Sequence, residues 1–225
     1  MKNILIIGGS SGISAALANQ LHEQRYQVFT ACRRATNYQH QNFDILSSTP
    51  LDIPENLNGL VYCPGSINFK PLHRISMNEI LDEFKLNALG AASVIQQALP
   101  ALKKSEHASI VLFSTVAVQT GLPCHASIAM AKGAIEGLTR TLAAELSPTI
   151  RVNAIAPSLT KTPLVESLTN TDQKIQASEN RHTLQRIGDP REIASLATWL
   201  LSDASRFITG QIIQADGGMS STRTF

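Results

Sequence analysis

The stretch Ile4-Leu5-Ile6-Ile7-Gly8-Gly9-Ser10-Ser11-Gly12-Ile13 decides how the rest of the chain is read. A continuous apolar run, Asn3 to Ile7, suits a strand buried on both faces of a parallel sheet. Two glycines stop it, and helix formers without a breaker run from Ile13 to Gln24. A strand, a Gly-Ser-rich turn and a helix N-terminus together make an anion site. Glycine lets phosphate oxygens approach the backbone, and the free N–H groups at the positive end of the helix dipole attract them. Ser10 and Ser11 add hydroxyl donors. The turn would also serve as a plain strand-to-helix link, because the literal GxGxxG spacing is absent.

About twenty residues further on, an NAD-preferring fold places an acid on the ribose diol. Here the second strand, Gln27 to Ala31, runs into Cys32-Arg33-Arg34 with no carboxylate. Two guanidiniums suit a 2′-phosphate, which they can clasp bidentately. Arg33 and Arg34 therefore favour NADP(H) over NAD(H), with a solvated basic turn as the plainer alternative.

Strand-like and helix-like segments then alternate to the end of the chain. Gly59 to Cys63, Ala108 to Phe113, Val152 to Ala156 and Gln211 to Ala215 read as strands. Ser76 opens a helix with Glu79 completing a capping box, and the helix runs to Leu99 with Pro100 close to its end. Ile128, Ala131, Ile135, Leu138, Leu142 and Leu146 keep the 3–4 spacing of an amphipathic helix. Asp189-Pro190 supplies an N-cap and first-turn proline for a helix from Arg191 to Ser202. Such alternation predicts right-handed βαβ units in a doubly wound parallel sheet, a three-layer α/β Rossmann-type fold. With no repeat or linker, residues 1–225 read as a single domain.

Charged residues make up 16% and the net charge is +2, which asks for neither nucleic acid nor an anionic membrane as partner. Cys32, Cys63 and Cys124 have no CxxC spacing or metal-ligand neighbours, so no metal site is expected and a reducing, cytoplasmic setting is. No apolar run approaches membrane-spanning length.

These motifs resemble those of the short-chain dehydrogenase/reductase family, especially its ketoacyl-carrier-protein reductase-like branch, over nearly the whole chain. Gly8 to Ser14 is similar to the family's TGxxxGxG loop, with Ile7 for threonine and Ser14 for the last glycine. The resemblance makes Gly8, Ser10, Ser11, Gly12 and Ile13 cofactor-binding and gives Asp44-Ile45 the adenine contact. Cys63-Pro64-Gly65 stands where the family has Asn-Ala-Gly. Asn87 matches the helix asparagine of the family's proton relay. Arg151-Val152-Asn153-Ala154-Ile155-Ala156-Pro157 is similar to RVNAIAPG, with Ser158 for the glycine. The resemblance makes Pro157 and Leu159 cofactor-binding and sets Thr160 and Thr162 where the family binds the nicotinamide carboxamide and phosphates. The stretches Arg186 to Pro190, Ile208 to Gln211 and Asp216 to Gly218 match the C-terminal pattern. Homodimers or homotetramers are implied. Only about ten residues separate Arg34 from Asp44, too few for the usual helix between strands two and three. Either a loop replaces that crossover or the sheet edge is rearranged, leaving the adenine side more open.

The family's chemistry implies a Ser-Tyr-Lys group: tyrosine transfers the proton, lysine lowers its pKa and binds ribose, and serine orients the substrate oxygen. Lys132 is present, and Thr115 keeps a hydroxyl in the serine position. Ile128 stands four residues before Lys132, where YxxxK has tyrosine, and a hydrocarbon neither gives nor takes a proton. His125 would share a face with Ile128 and Lys132 if the helix began early enough, and an imidazole suits proton transfer near neutrality. Otherwise it is a loop histidine beside the cleft. Cys124 or Lys132 itself are further options, while Ser127 should point away and Tyr26, Tyr38 and Tyr62 read as structural. The expected activity is an NADP(H)-dependent oxidoreductase on an unidentified carbonyl or alcohol with altered proton transfer. The alternatives are an inactive cofactor-binding sensor or scaffold, and an inactive subunit of a hetero-oligomer. Ser158 to Arg186 reads as a partly apolar lid over the substrate.

Overall fold

The computed structural model describes residues 1–47 and 49–222. Its strands are β1 (Asn3–Ile7), β2 (Gln27–Cys32), β3 (Gln39–Asn42), β4 (Gly59–Tyr62), β5 (Ala108–Phe113), β6 (Ile150–Pro157) and β7 (Ile212–Ala215). They form one sheet in the order β3-β2-β1-β4-β5-β6-β7, with every adjacent pair parallel. The helices are α1 (Gly12–Glu23), α2 (Met77–Phe84), α3 (Gly90–Leu102), α4 (Val116–Thr120), α5 (Ala126–Glu145), α6 (Asp172–Glu179) and α7 (Pro190–Leu201).

β1 shows why the opening run is apolar throughout. Leu5 and Ile7 pack with Val94, Ile95 and Leu102 of α3 and Ile135 of α5. Ile4 and Ile6 face the other way, against Leu17 and Leu21 of α1 and Ile193 and Leu200 of α7. Helices thus cover both faces, giving the three-layer Rossmann-like domain that the alternation predicts.

Two stretches depart from the expectation. β3 lies on the sheet edge and pairs with β2, Phe29 beside Gln39 through Cys32 beside Asn42. The crossover between them is Arg33 to Tyr38, a loop with no helix. Tyr38 anchors it: its ring packs edge-on to His22, 5.6 Å between centroids, and its hydroxyl donates to Asn19 of α1.

The second departure is the long helix. Its capping box is present, with Glu79 N–H donating to Ser76 Oγ and Ser76 N–H to the Glu79 carboxylate. The helix passes through a π-turn at Lys85–Leu89 into α3, and Pro100 sits inside α3 rather than ending it. A proline near a C-terminus removes one hydrogen bond, and Val94, Ile95, Ala98 and Leu102, all buried in the core, hold the helix around it. The buried Tyr62 hydroxyl donates to the Leu86 carbonyl in the π-turn. Gly90 makes room for it, because a Cβ there would overlap that hydroxyl and lie 2.7 Å from Ile45 Cγ1.

Candidate active site

At the C-terminal ends of the strands, where the order turns from β1 to β4, a cleft of about 1130 Å³ opens. Open α/β sheets bind ligands at such a switch point. The glycine loop supplies one wall. Gly9 has φ +92°, and a Cβ there would come 2.9 Å from Thr30 Cγ2. Its N–H donates to Ser14 Oγ at 3.1 Å, and Ser14 donates on to the Ser11 carbonyl at 2.9 Å. Ser14 therefore stiffens the loop from inside. Ser11 is the N-cap of α1 but makes no side-chain cap, and the first turn carries no acid. The opening N–H groups of α1 are left facing the cleft, which Ser10, Ser11, Gly12 and Ile13 line with Gly8.

Each further strand end adds its share. Arg33 and Arg34 follow β2, exposed, on the cleft rim and in no ion pair among the described residues. Asp44 and Ile45 follow β3, with Asp44 Oδ1 accepting from Leu46 N–H at 3.0 Å. Cys63, Pro64 and Gly65 follow β4, and Thr115 follows β5. Thr115 caps α4, its Oγ1 accepting from Ala117 N–H at 3.3 Å. Pro157, Leu159, Thr160 and Thr162 extend from β6, and Lys132 enters from α5.

Asn87 is the one expected site residue that does not line the cleft. It is fully buried in the π-turn, donating from Nδ2 to the Glu83 carbonyl at 2.8 Å, while its Oδ1 has no partner. A Cβ on Gly65 would lie 3.3 Å from that oxygen and 3.8 Å from Lys132 Nζ. Asn87 Oδ1 and Lys132 Nζ thus both lie behind Gly65, with no hydrogen bond between them. Burial pushes Lys132 down to about 8, opposed by the charge of Glu83. Burial also pushes the Cys63 thiol up to about 12, against the pull of Lys132, so Cys63 stays protonated and is no nucleophile.

Ile128 lies one turn before Lys132, buried and lining the cleft. His125 is on the cleft wall but not in the helix, because it is the N-cap of α5 with φ −111° and ψ 15°. The helix extension that would stack it on Ile128 does not form. Its Nδ1 donates to the Pro123 carbonyl at 2.7 Å, and its ring meets Phe69 edge-on. Ser127 is buried and absent from the cleft lining.

Sequence reasoning missed two groups. Glu83 is buried beside Asn87, one carboxylate oxygen 3.4 Å from Ser66 Oγ and the other unpartnered. A polar residue within an amphipathic helix gave no sign of facing inward. His182, in the lid after α6, bonds Ser158 across the cleft, a pairing 24 residues apart that spacing cannot disclose. The lid itself carries Leu164, Val165 and Leu168 into the cleft.

Residues 48–220 match the family profile described as enoyl-(acyl carrier protein) reductase. A tropinone reductase homologue of Arabidopsis thaliana is 31% identical over 97% of this chain and 92% of its own. The chain belongs to the short-chain dehydrogenase/reductase family. Among solved members, the ligand-free aldohexose dehydrogenase of Thermoplasma acidophilum superposes with a TM-score of 0.91 at 26% identity, covering 100% of this chain and 96% of that one. A 2,5-dichloro-2,5-cyclohexadiene-1,4-diol dehydrogenase of Sphingobium indicum is 35% identical over 67% of this chain and 61% of its own. Short-chain dehydrogenases/reductases are oxidoreductases that bind NAD(P)(H), act on small molecules and are often oligomeric. No helix among the described residues is long and apolar enough to cross a membrane.

Proposed function

We propose that this protein binds NADP(H) and interconverts a carbonyl and an alcohol by a proton route altered at Ile128. One observation carries the reading: the uncapped N-terminus of α1, Arg33 with Arg34, and Lys132 converge on a single cleft. The residues fit a dinucleotide. The α1 amides suit the pyrophosphate, the two arginines the 2′-phosphate, and the Asp44–Ile45 turn the adenine. The family likeness supports Thr160 and Thr162 at the nicotinamide end, with Cys63-Pro64-Gly65, Pro157 and Leu159 as further cofactor contacts. When bound, the nicotinamide supplies or accepts a hydride.

Lys132 then binds the ribose hydroxyls, Thr115 orients the substrate oxygen, and the unpartnered Asn87 Oδ1 is free to hold a water behind Lys132. Ile128 occupies the tyrosine position of YxxxK and removes the usual general acid, which costs about 10²–10⁴ in rate, or roughly 3–5 kcal/mol of barrier. The motif likeness supports a ketoacyl-carrier-protein reductase-like branch. The reading includes a cytoplasmic homodimer or homotetramer: the free thiols at Cys32, Cys63 and Cys124 suit the first, and exposed Leu81, Leu89 and Met130 around α2 and α5 support the second.

Fluorescence titration with NADPH and NADH tests the reading, with NADPH expected to bind more tightly. Replacing Arg33 and Arg34 with alanine should remove that preference. Binding of neither dinucleotide would refute the reading. Ile128 also favours a second one: a cofactor-binding sensor, scaffold or inactive subunit without turnover. That alternative predicts NADPH binding with carbonyl reduction at background both before and after Ile128→Tyr.

A further inference from the structure

Ser158 follows Pro157 at the end of β6. Phe113 of β5 lies beside Ile155 of β6, so continuing that register sets residue 157 level with Thr115 and Ser158 one residue beyond. Thr115 and Ser158 thus follow the C-terminal ends of two neighbouring strands. Both line the cleft.

The bonding of His182 fixes what Ser158 presents. His182 Nδ1 is 2.8 Å from the Ser178 carbonyl oxygen, which only accepts, so Nδ1 carries a proton. In the neutral ring Nε2 is then bare. Nε2 lies 2.8 Å from Ser158 Oγ and accepts the serine proton. The Ser158 oxygen is left with lone pairs, an acceptor matched to a substrate O–H. His182 is only 2% exposed. Behind it Asp216, also buried, accepts from Gly218 N–H and Ser220 N–H, each at 2.9 Å, and from the Ser220 hydroxyl. Burial pushes the Asp216 carboxyl up, but these bonds outweigh it and hold it below its ordinary value.

We propose that Ser158 and His182 are a proton-accepting pair for a secondary-alcohol substrate, supplying at the end of β6 the proton transfer for which Ile128 has no atoms. The inference rests on the oxidoreductase reading above. In the oxidation, the alcohol O–H breaks and its proton passes to Ser158 Oγ, while the serine's own proton moves to His182 Nε2. The carbon-bound hydrogen leaves with its electron pair to the oxidised nicotinamide dinucleotide. The products are a ketone, the reduced dinucleotide and a protonated His182; the reduction of a ketone runs the same steps backwards. Leu164, Val165, Leu168 and Met219 on the cleft wall suit an apolar body on the alcohol.

The test uses the full chain with NADP⁺ and 1-phenylethanol as the probe alcohol. Nitrogen NMR of the loaded protein should find His182 protonated at Nδ1 and bare at Nε2. His182→Gln keeps an acceptor for Ser158 but takes up no proton. It should leave NADP⁺ binding and the KM for the alcohol within about threefold while lowering kcat about 100-fold or more. Ser158→Ala should lower kcat likewise. A proton on Nε2, an unchanged kcat in His182→Gln, loss confined to His125→Ala, or no NADPH formed by a protein that binds NADP⁺ would each overturn the pair. Failure to bind NADP⁺ at all is a different result, because it removes the oxidoreductase reading itself.

Discussion

Ile128 and Lys132 are neighbours on one helical face with opposite demands. A tyrosine at 128 would place a phenol one turn from the Lys132 ammonium, which lowers a phenol pKa. Ile128→Tyr therefore adds a second proton donor, and its gain in NADPH-dependent carbonyl reduction should be largest, up to about 10²–10⁴, in a His182→Gln background, read as initial rates. Lys132 also makes stability depend on pH. Its ammonium keeps its proton to about 10.5 in the unfolded chain but only to about 8 in the fold. Below pH 8 both states carry the proton, and the fold bears the full cost of a buried charge. Between 8 and 10.5 the fold sheds the proton and that cost disappears. Melting of the parent and of Lys132→Met from pH 7 to 9.5 should show the parent gaining on the variant as pH rises. At this scale the positions of Arg33, Arg34 and Ile128 on the cleft were legible from motif spacing. Glu83 and His182 were silent because their meaning lies in partners that only the tertiary fold supplies.

At the scale of elements, the helix from Ser76 to Leu102 is held at its start and at its middle. Ser76→Ala removes the N-cap and should cost about 1 kcal/mol in denaturant unfolding. Gly90→Ala adds a methyl where the Tyr62 hydroxyl and Ile45 already sit. It should destabilise by about 1–3 kcal/mol, and Tyr62→Phe, which removes the clashing oxygen, should recover part of the loss. The capping box was legible because it is a local pattern. The π-turn was not, since it depends on Tyr62 reaching Leu86 from another strand. β3 escaped because Gln39-His40-Gln41-Asn42 has no apolar alternation. An edge strand half open to water needs little, and its backbone pairing with β2 is enough.

For the whole molecule, the doubly wound parallel sheet and its helix coverage followed from the alternation of segments, because parallel strands require crossovers and crossovers have one hand. The cleft position followed in turn, since the glycine loop and Cys63-Pro64-Gly65 sit at the ends of adjacent strands β1 and β4. A ligand that binds only the folded chain stabilises it by mass action. NADPH at a hundred times its Kd should add about 2.7 kcal/mol, which for this chain length raises Tm by roughly 5–10 °C. NADH at the same concentration should add less.

The six-residue crossover from Arg33 to Tyr38 has a practical consequence. Where a helix would ordinarily wall off the sheet edge, only a loop and the thin β3 strand stand between the proposed adenine position and solvent. A spacer attached to the exocyclic amine of adenine would leave the protein through that gap. NADP⁺ fixed to a resin by its adenine should therefore retain this protein and release it to free NADPH, whereas NADP⁺ fixed through its nicotinamide ribose, next to Lys132, should let it pass.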